Sequence, residues 1–322
     1  MAFCLSQIYH ERKKGEKTGF AKFETFPIWN LTLNHPINIA YEAATADLKD
    51  VNMVDKFHED AYGIVAINYN RDMENYNILK SLMQGITGEK SPFGYKSPTD
   101  MGVNMAKSGI IDDALCQEAA KQEIIRRYFR YLREKVEGIE TQDTIDQMGR
   151  IMKKAGVSVE DRAVVEAARK AATDAEKSGK GYDDVFCGAS IELSGGTMIT
   201  GKNSDLLHAE SAAILNAIKH MEGVPDGIDL ISKEVLRTIT HMKKELLNKK
   251  TPCLNVEETL IALAVSSATN PMAKSAMTRM KELRDCEMHI THLPTAGDEA
   301  GLTRLNMNVT TDAKLTLLAQ FQ

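Results

Sequence analysis

Apolar residues recur at helical spacing from the first positions of the chain. Met1-Ala2-Phe3-Cys4-Leu5-Ser6-Gln7-Ile8-Tyr9-His10 runs into Glu11-Arg12-Lys13-Lys14-Gly15, so a helix is expected with no capping residue in front of it. Residues 18–27 alternate and are aromatic, which predicts a strand ending at Pro27. An alanine-rich helix is expected over 38–48. The run Gly63-Ile64-Val65-Ala66-Ile67-Asn68-Tyr69-Asn70 predicts a buried strand, with Arg71-Asp72 leading into a helix over 73–86. Strand followed by helix, more than once, is the α/β pattern.

From Ile111 the period becomes helical alone. Asp112-Asp113 opens a helix over 114–136 that carries Arg126, Arg127, Arg130 and Arg133 on its polar side. That series is either a solvated, salt-bridged face or a surface for an anionic ligand. Shorter helices are expected over 144–155 and 159–176, with Ser178-Gly179-Lys180-Gly181 as flexible punctuation. Strands then return. Segments 185–193 and 197–201 flank Ser194-Gly195-Gly196 and predict a β-hairpin, because a tight turn needs positive φ. Helices are expected over 206–221, 232–248, 255–268 and 272–283, and strands at 229–231 and 286–293. A helix over 297–305 and a strand over 306–310 complete the pattern.

Composition narrows the function classes. The 322 residues carry a formal charge of -5, without the basic excess that a nucleic-acid groove needs. Five scattered cysteines with no CxxC pair read as reduced thiols, no apolar stretch approaches the ~20 residues of a membrane span, and a cytoplasmic protein is expected.

Polar chemistry concentrates in residues 94–104, where two glycines and a proline forbid regular helix and Lys96, Ser97, Thr99, Asp100 and Asn104 crowd together. Either these residues cap their own turns, or they form a site with polar residues at the strand ends, namely Lys22, Glu24, Asn68, Asn70, Arg71 and Asp72. In the second case Lys22, Arg71 and Lys96 meet anionic groups, Asn70, Ser97, Thr99 and Asn104 help to bind them, and Asp72 or Asp100 acts catalytically on a metal or substrate hydroxyl.

His208-Ala209-Glu210, on the helix after the hairpin, and Pro252-Cys253 before a later helix resemble the metal-binding motifs of the zinc deaminases. Val256 stands where that pattern has its second cysteine, so either a deaminase-like fold without its metal or a coincidental match is expected. Cys286, Glu287, His289 and His292 are further donors, although 286 and 289 face opposite sides of one strand.

A second resemblance covers most of the chain. Ala21-Lys22-Phe23-Glu24-Thr25-Phe26-Pro27, Tyr41-Glu42-Ala43-Ala44-Thr45-Ala46-Asp47, Asn68-Tyr69-Asn70-Arg71-Asp72 and Lys96-Ser97-Pro98-Thr99-Asp100-Met101-Gly102-Val103-Asn104 are joined by Gln122-Glu123-Ile124-Ile125-Arg126-Arg127-Tyr128, Thr200-Gly201-Lys202-Asn203-Ser204 and Cys286-Glu287-Met288-His289. In that order they resemble the uncharacterised bacterial family of domain of unknown function 1846. Full-length relatives carry, before the position of Met1, a strand and a glycine-rich loop that resembles a P-loop. The resemblance therefore implies either a truncated chain or a shorter protein made from an alternative start, with ATP and Mg²⁺ as cofactors of the full-length relatives.

Three parts are expected. Residues 1–110 form a partial domain, the remnant of a P-loop-like α/β domain; residues 111–181 form a helical subdomain; residues 182–322 form a three-layer α/β domain of cytidine-deaminase-like architecture. The function expected is that of a nucleotide- or phosphate-dependent enzyme, with a zinc-dependent deaminase-like hydrolase or a non-catalytic oligomer-forming protein as alternatives. Expected partners are a nucleotide or phosphorylated small molecule and further copies of the chain, with no nucleic acid and no membrane.

Overall fold

Residues 2–23, 25 and 27–315 are described by the computed structural model, a mixed α/β structure with two small sheets. It divides into two units, Met1–Tyr128 with Thr141–Ser158, and Phe129–Glu140 with Val159–Gln322.

In the first unit, α1 (Ala2–Lys13), α2 (Pro36–Ala44), β1 (Asn52–Val54), α3 (Lys56–Tyr62), β2 (Ile67–Tyr69) and α4 (Asn70–Thr87) follow in order. Tyr76, Leu79 and Met83 form an i, i+3, i+7 stripe on α4 and bury against Leu5 and Ile8 of α1 and against Met101. Gly88 ends α4 in the left-handed conformation. β1 and β2 are antiparallel, with Met53 opposite Asn68. The strand expected over 63–70 is thus only three residues long. Gly63 terminates α3, which is itself started by the Asp55 cap, and Ile64 and Val65 remain exposed.

The strand expected over 18–27 does not form among the described residues. Among the described residues no strand lies beside it; the Lys22 amide donates to the Met101 carbonyl at 2.8 Å, and an isolated bridge joins Ile28, just after it, to Asn104. Gly102 permits this approach, since a Cβ there would stand 2.0 Å from the Lys22 carbonyl oxygen.

Helix α5 (Asp113–Val136) begins in the first unit and continues into the second; α6 (Gln142–Ala155) belongs to the first. The α5 arginines pair along their own helix: Arg126 and Arg127 with Glu123, Arg130 with Glu134 and Arg133 with Glu137.

The second unit contains α7 (Ala163–Lys177), the hairpin β3 (Gly188–Glu192) and β4 (Met198–Lys202), α8 (Ala209–Glu222), α9 (Lys233–Glu245), α10 (Val256–Ser266), α11 (Pro271–Thr278), β5 (Glu287–Ile290), α12 (Ala296–Arg304) and β6 (Asn308–Thr311). Its sheet runs β4-β3-β5-β6. β3 is antiparallel to both neighbours, and β5 and β6 are parallel. Helices cover both faces: a Cβ on Gly188 would meet the Ala168 carbonyl of α7 at 2.2 Å, and one on Gly201, which faces the other way, the Ala213 amide of α8 at 2.2 Å. Residues 229–231 form no strand; Leu230 and Ile231 are buried in the helical core of the unit. Three helices begin near one end of this sheet. The chain before α8 and the chain before α10 are joined by His208 N to Leu254 O at 3.0 Å and Leu254 N to Leu206 O at 2.8 Å, and the Val256 amide at the start of α10 donates to Asp298 of α12 at 2.8 Å.

Candidate functional site

In the first unit, the end of β2 and the start of α4 place Tyr69, Arg71 and Asp72 beside Lys22 around a cavity of about 320 Å³, closed by Tyr76 and Met101. The Lys22 ammonium pairs with the Asp72 carboxylate and lies 5.7 Å from the centre of the Tyr69 ring. The Arg71 guanidinium lies 5.6 Å from the same ring and bonds the buried Asp50 carboxylate at 2.7 Å. Burial, then the charges of Asp100 and Asp55, push the Tyr76 phenol up to about 12. Two cations, a carboxylate and aromatic walls suit a small anionic ligand with a ring or sugar attached.

Most of the 94–104 loop turns away from that cavity, which it lines with Pro98 and Met101. The Asp100 carboxylate accepts from the Lys96 amide at 2.7 Å, the Ser97 amide at 3.1 Å and the Tyr62 hydroxyl at 3.0 Å. Ser97 Oγ meets His58 Nδ1 at 2.9 Å, and the Thr99 amide and hydroxyl donate to Asp55 at 3.1 and 2.6 Å. Asn104 donates to the Thr25 carbonyl at 2.6 Å, and Asn70 accepts from the Val51 amide at 3.1 Å. Lys96 is exposed, its ammonium 5.0 Å from the Tyr62 ring centre. Glu24 lies outside the described residues.

The second unit holds a different cluster. His208 caps α8, Glu210 sits in its first turn, His292 follows β5, and Asp298 lies in the first turn of α12; His208 is 3% exposed and the others 0%. His208 Nδ1 is 2.8 Å from Asp298 Oδ2 and 3.8 Å from Glu210 Oε1, which is 3.7 Å from His292 Nε2. Asp298 also accepts from the Thr295 hydroxyl at 2.6 Å as part of a capping box. Burial, then the Asp298 charge, raises Glu210 well above the usual carboxylate range. Burial also acts on Asp298, but the neighbouring His208 and the hydrogen bonds outweigh it and hold Asp298 low. His292 is lowered to about 4 by burial and then by the charge of His208.

His208 and Glu210 are legible in the sequence as one short motif and His292 as one of the further donors, whereas Asp298 is not. The remaining donors go elsewhere. Cys253 directs its thiol to the Ser204 carbonyl at 3.2 Å, Cys286 to Glu282, Glu287 pairs with Arg162, and His289 meets Thr310 at 2.9 Å. Val256 packs against Gly301, where a Cβ would stand 2.5 Å from its side chain, so an apolar residue there joins α10 to α12.

Comparison with known proteins covers nearly the whole chain. A family described as domain of unknown function DUF1846, N-terminal, matches residues 1–156, and one described as domain of unknown function DUF1846, C-terminal, matches residues 160–319. A UPF0371 protein of Clostridium botulinum (strain Alaska E43 / Type E3) is 47% identical over 312 residues, and one of Clostridium tetani (strain Massachusetts / E88) is 46% identical over 312 residues. Each alignment takes in 97% of this chain and 62% of the relative, so the chain spans less than two thirds of these proteins.

Proposed function

The chain belongs to the family of domain of unknown function 1846, and from that premise we propose that the family protein is a cytoplasmic nucleotide- or phosphate-dependent enzyme to which this chain contributes an anion pocket. The observation that carries the reading is the convergence of Lys22, Arg71 and Asp72 on one cavity beside Tyr69 and Tyr76. A phosphoryl group takes the place of Asp72 as partner of Lys22, and Arg71, already anchored by Asp50, presents its guanidinium from a fixed position. Asp72 is then released to hold Mg²⁺ or a substrate hydroxyl, as phosphoryl chemistry requires. Ser97, Thr99, Asp100 and Asn104 hold the shape of the loop whose Pro98 and Met101 line this pocket, and Lys96 steers anions toward it. The relatives are longer than the chain, so the reaction is proposed for the whole protein and the pocket for the part described.

For the second unit we propose a deaminase-like architecture. The sheet order β4-β3-β5-β6, with an antiparallel hairpin, a parallel β5–β6 pair and a helix bearing His208-Ala209-Glu210 directly after the hairpin, supports it. No helix among the described residues is long and apolar enough to cross a membrane, in keeping with the proposed location.

Thermal melts of the chain with inorganic phosphate, nucleotides and sugar phosphates test the pocket. A ligand at a hundredfold excess over its Kd raises stability by about 2.7 kcal/mol, and Lys22→Ala is expected to abolish the shift. An equal shift in Lys22→Ala would remove the pocket from consideration.

A further inference from the structure

We propose that His208, Glu210, His292 and Asp298 bind one divalent transition cation of the zinc class, in a closed site that holds the starts of α8, α10 and α12 at the end of the second sheet. His208, Glu210 and Asp298 bring one ligand atom each to within 4.8 Å of one another, and His292 reaches to 3.7 Å from Glu210. Two ligands ~2.0–2.1 Å from a tetrahedral zinc stand ~3.4 Å apart. The separation of 3.7 Å between Glu210 Oε1 and His292 Nε2 is close to that spacing.

A second, independent observation is that this buried spot holds polar atoms with nothing to bond. His208 Nε2 and both His292 nitrogens are shielded from solvent and meet no hydrogen-bond partner among the described residues, and the buried Glu210 oxygens meet no N–H or O–H donor from another described residue, their hydrogen-bonding neighbour being the Asp298 carboxylate. Buried polar atoms are nearly always paired, because leaving one unpaired sacrifices its hydration without return. A single cation, bonded to one nitrogen of each imidazole and to the Glu210 carboxylate, would engage all three of these side chains. Two imidazoles and two carboxylates form a mixed nitrogen and oxygen set, which suits zinc and, after it, iron or manganese. The surrounding bonds are those of a supporting shell: the Thr295 hydroxyl and the Val256 amide both hold Asp298 in orientation. Four buried protein side chains leave no open position, so the ion is structural.

This assignment departs from the metal-free expectation because the second half of the site is not Pro252-Cys253. The residues that meet His208 and Glu210 come instead from 292 and 298, where the chain leaves β5 and enters α12.

The test is elemental analysis of the full chain purified without chelator, together with thermal melts before and after removal of metal by a strong chelator and readdition of Zn²⁺, Mn²⁺ or Fe²⁺. About one zinc per chain is expected, the stripped protein should melt earlier, and zinc should restore the transition. Glu210→Gln and His292→Asn should each reduce the bound metal to below about a tenth of an equivalent, while Cys253→Ser should keep it. Manganese or iron in place of zinc, lost in the same two variants, would support the site and change the ion. Two results would overturn the proposal: a chain that takes up none of the three cations and melts identically with and without them, or metal that persists in both variants. Because metal content and melting are read on wild-type protein as well, a variant that fails to fold leaves the proposal open to refutation.

Discussion

The two units treat their polar side chains in opposite ways. In the first, the loop that concentrates hydroxyls and carboxylates closes on itself: Asp100 takes three donors, Thr99 gives both of its protons to Asp55, and Ser97 meets His58. In the second, His292 is wholly buried with no hydrogen-bond partner among the described residues, and the buried Glu210 has only another carboxylate, Asp298, as a hydrogen-bonding side chain among them. A saturated network fixes a shape and needs no ligand, whereas unsatisfied groups in low dielectric raise the energy of the fold until something binds them. Polar density in sequence is therefore a weaker sign of a site than polar groups left over after folding. Within the first unit the same lesson moves attention from the loop to the cavity beside it, where Lys22 and Arg71 carry charge at a surface a ligand can reach.

The largest effect that sharpens this contrast is expected at Asp298. Removing its carboxylate leaves His208 and the Val256 amide without an acceptor, and Asp298→Ala should lower the unfolding free energy by about 3–5 kcal/mol in urea melts. A loss under about 1 kcal/mol would put the buried cluster on a level with ordinary surface residues. Next comes Asp55, which caps α3 and accepts twice from Thr99. Asp55→Ala should remove about 2–3 kcal/mol and loosen the 94–104 loop in hydrogen exchange. Unchanged protection there would mean that the network does not set the loop's shape.

Tyr76 offers a smaller, pH-dependent test. Below pH ~10 its phenol is neutral in both folded and unfolded chains. Above that the unfolded chain loses the proton while the folded one holds it up to about 12, so the contribution of Tyr76 to stability declines as pH rises through this window. Phenylalanine has no proton to lose, so the stability of Tyr76→Phe should fall less steeply there than that of the parent. Parallel curves would show that the fold does not keep the ring neutral. The smallest effect belongs to Lys96, whose side chain is exposed. Lys96→Ala should leave the melting temperature unchanged, and a clear drop would make this lysine part of the scaffold.

By itself the sequence determined most of the helices and the hairpin. α5, α6 and α8, for example, each lie within a few residues of their expected limits, because amphipathic spacing and caps act between residues three or four apart. The turn at Ser194-Gly195-Gly196 was legible for the same local reason, and Gly196 takes the positive φ it calls for. Of the side chains that line the candidate cavity, Arg71 and Asp72 are readable because they follow a strand and open a helix, and Lys22 because its segment is polar and aromatic by turns. Tertiary structure decided the rest. Among the described residues no strand lies beside the 18–27 segment and none forms in it, and β1 and α3, a three-residue strand and a seven-residue helix, leave too short a period to read. The cluster in the second unit depends on tertiary contact even more. His208 and Asp298 are 90 residues apart, and each alone reads as a residue at a helix start. Only packing of the helices onto the sheet brings them together, and no local pattern encodes a neighbour at that distance in the chain.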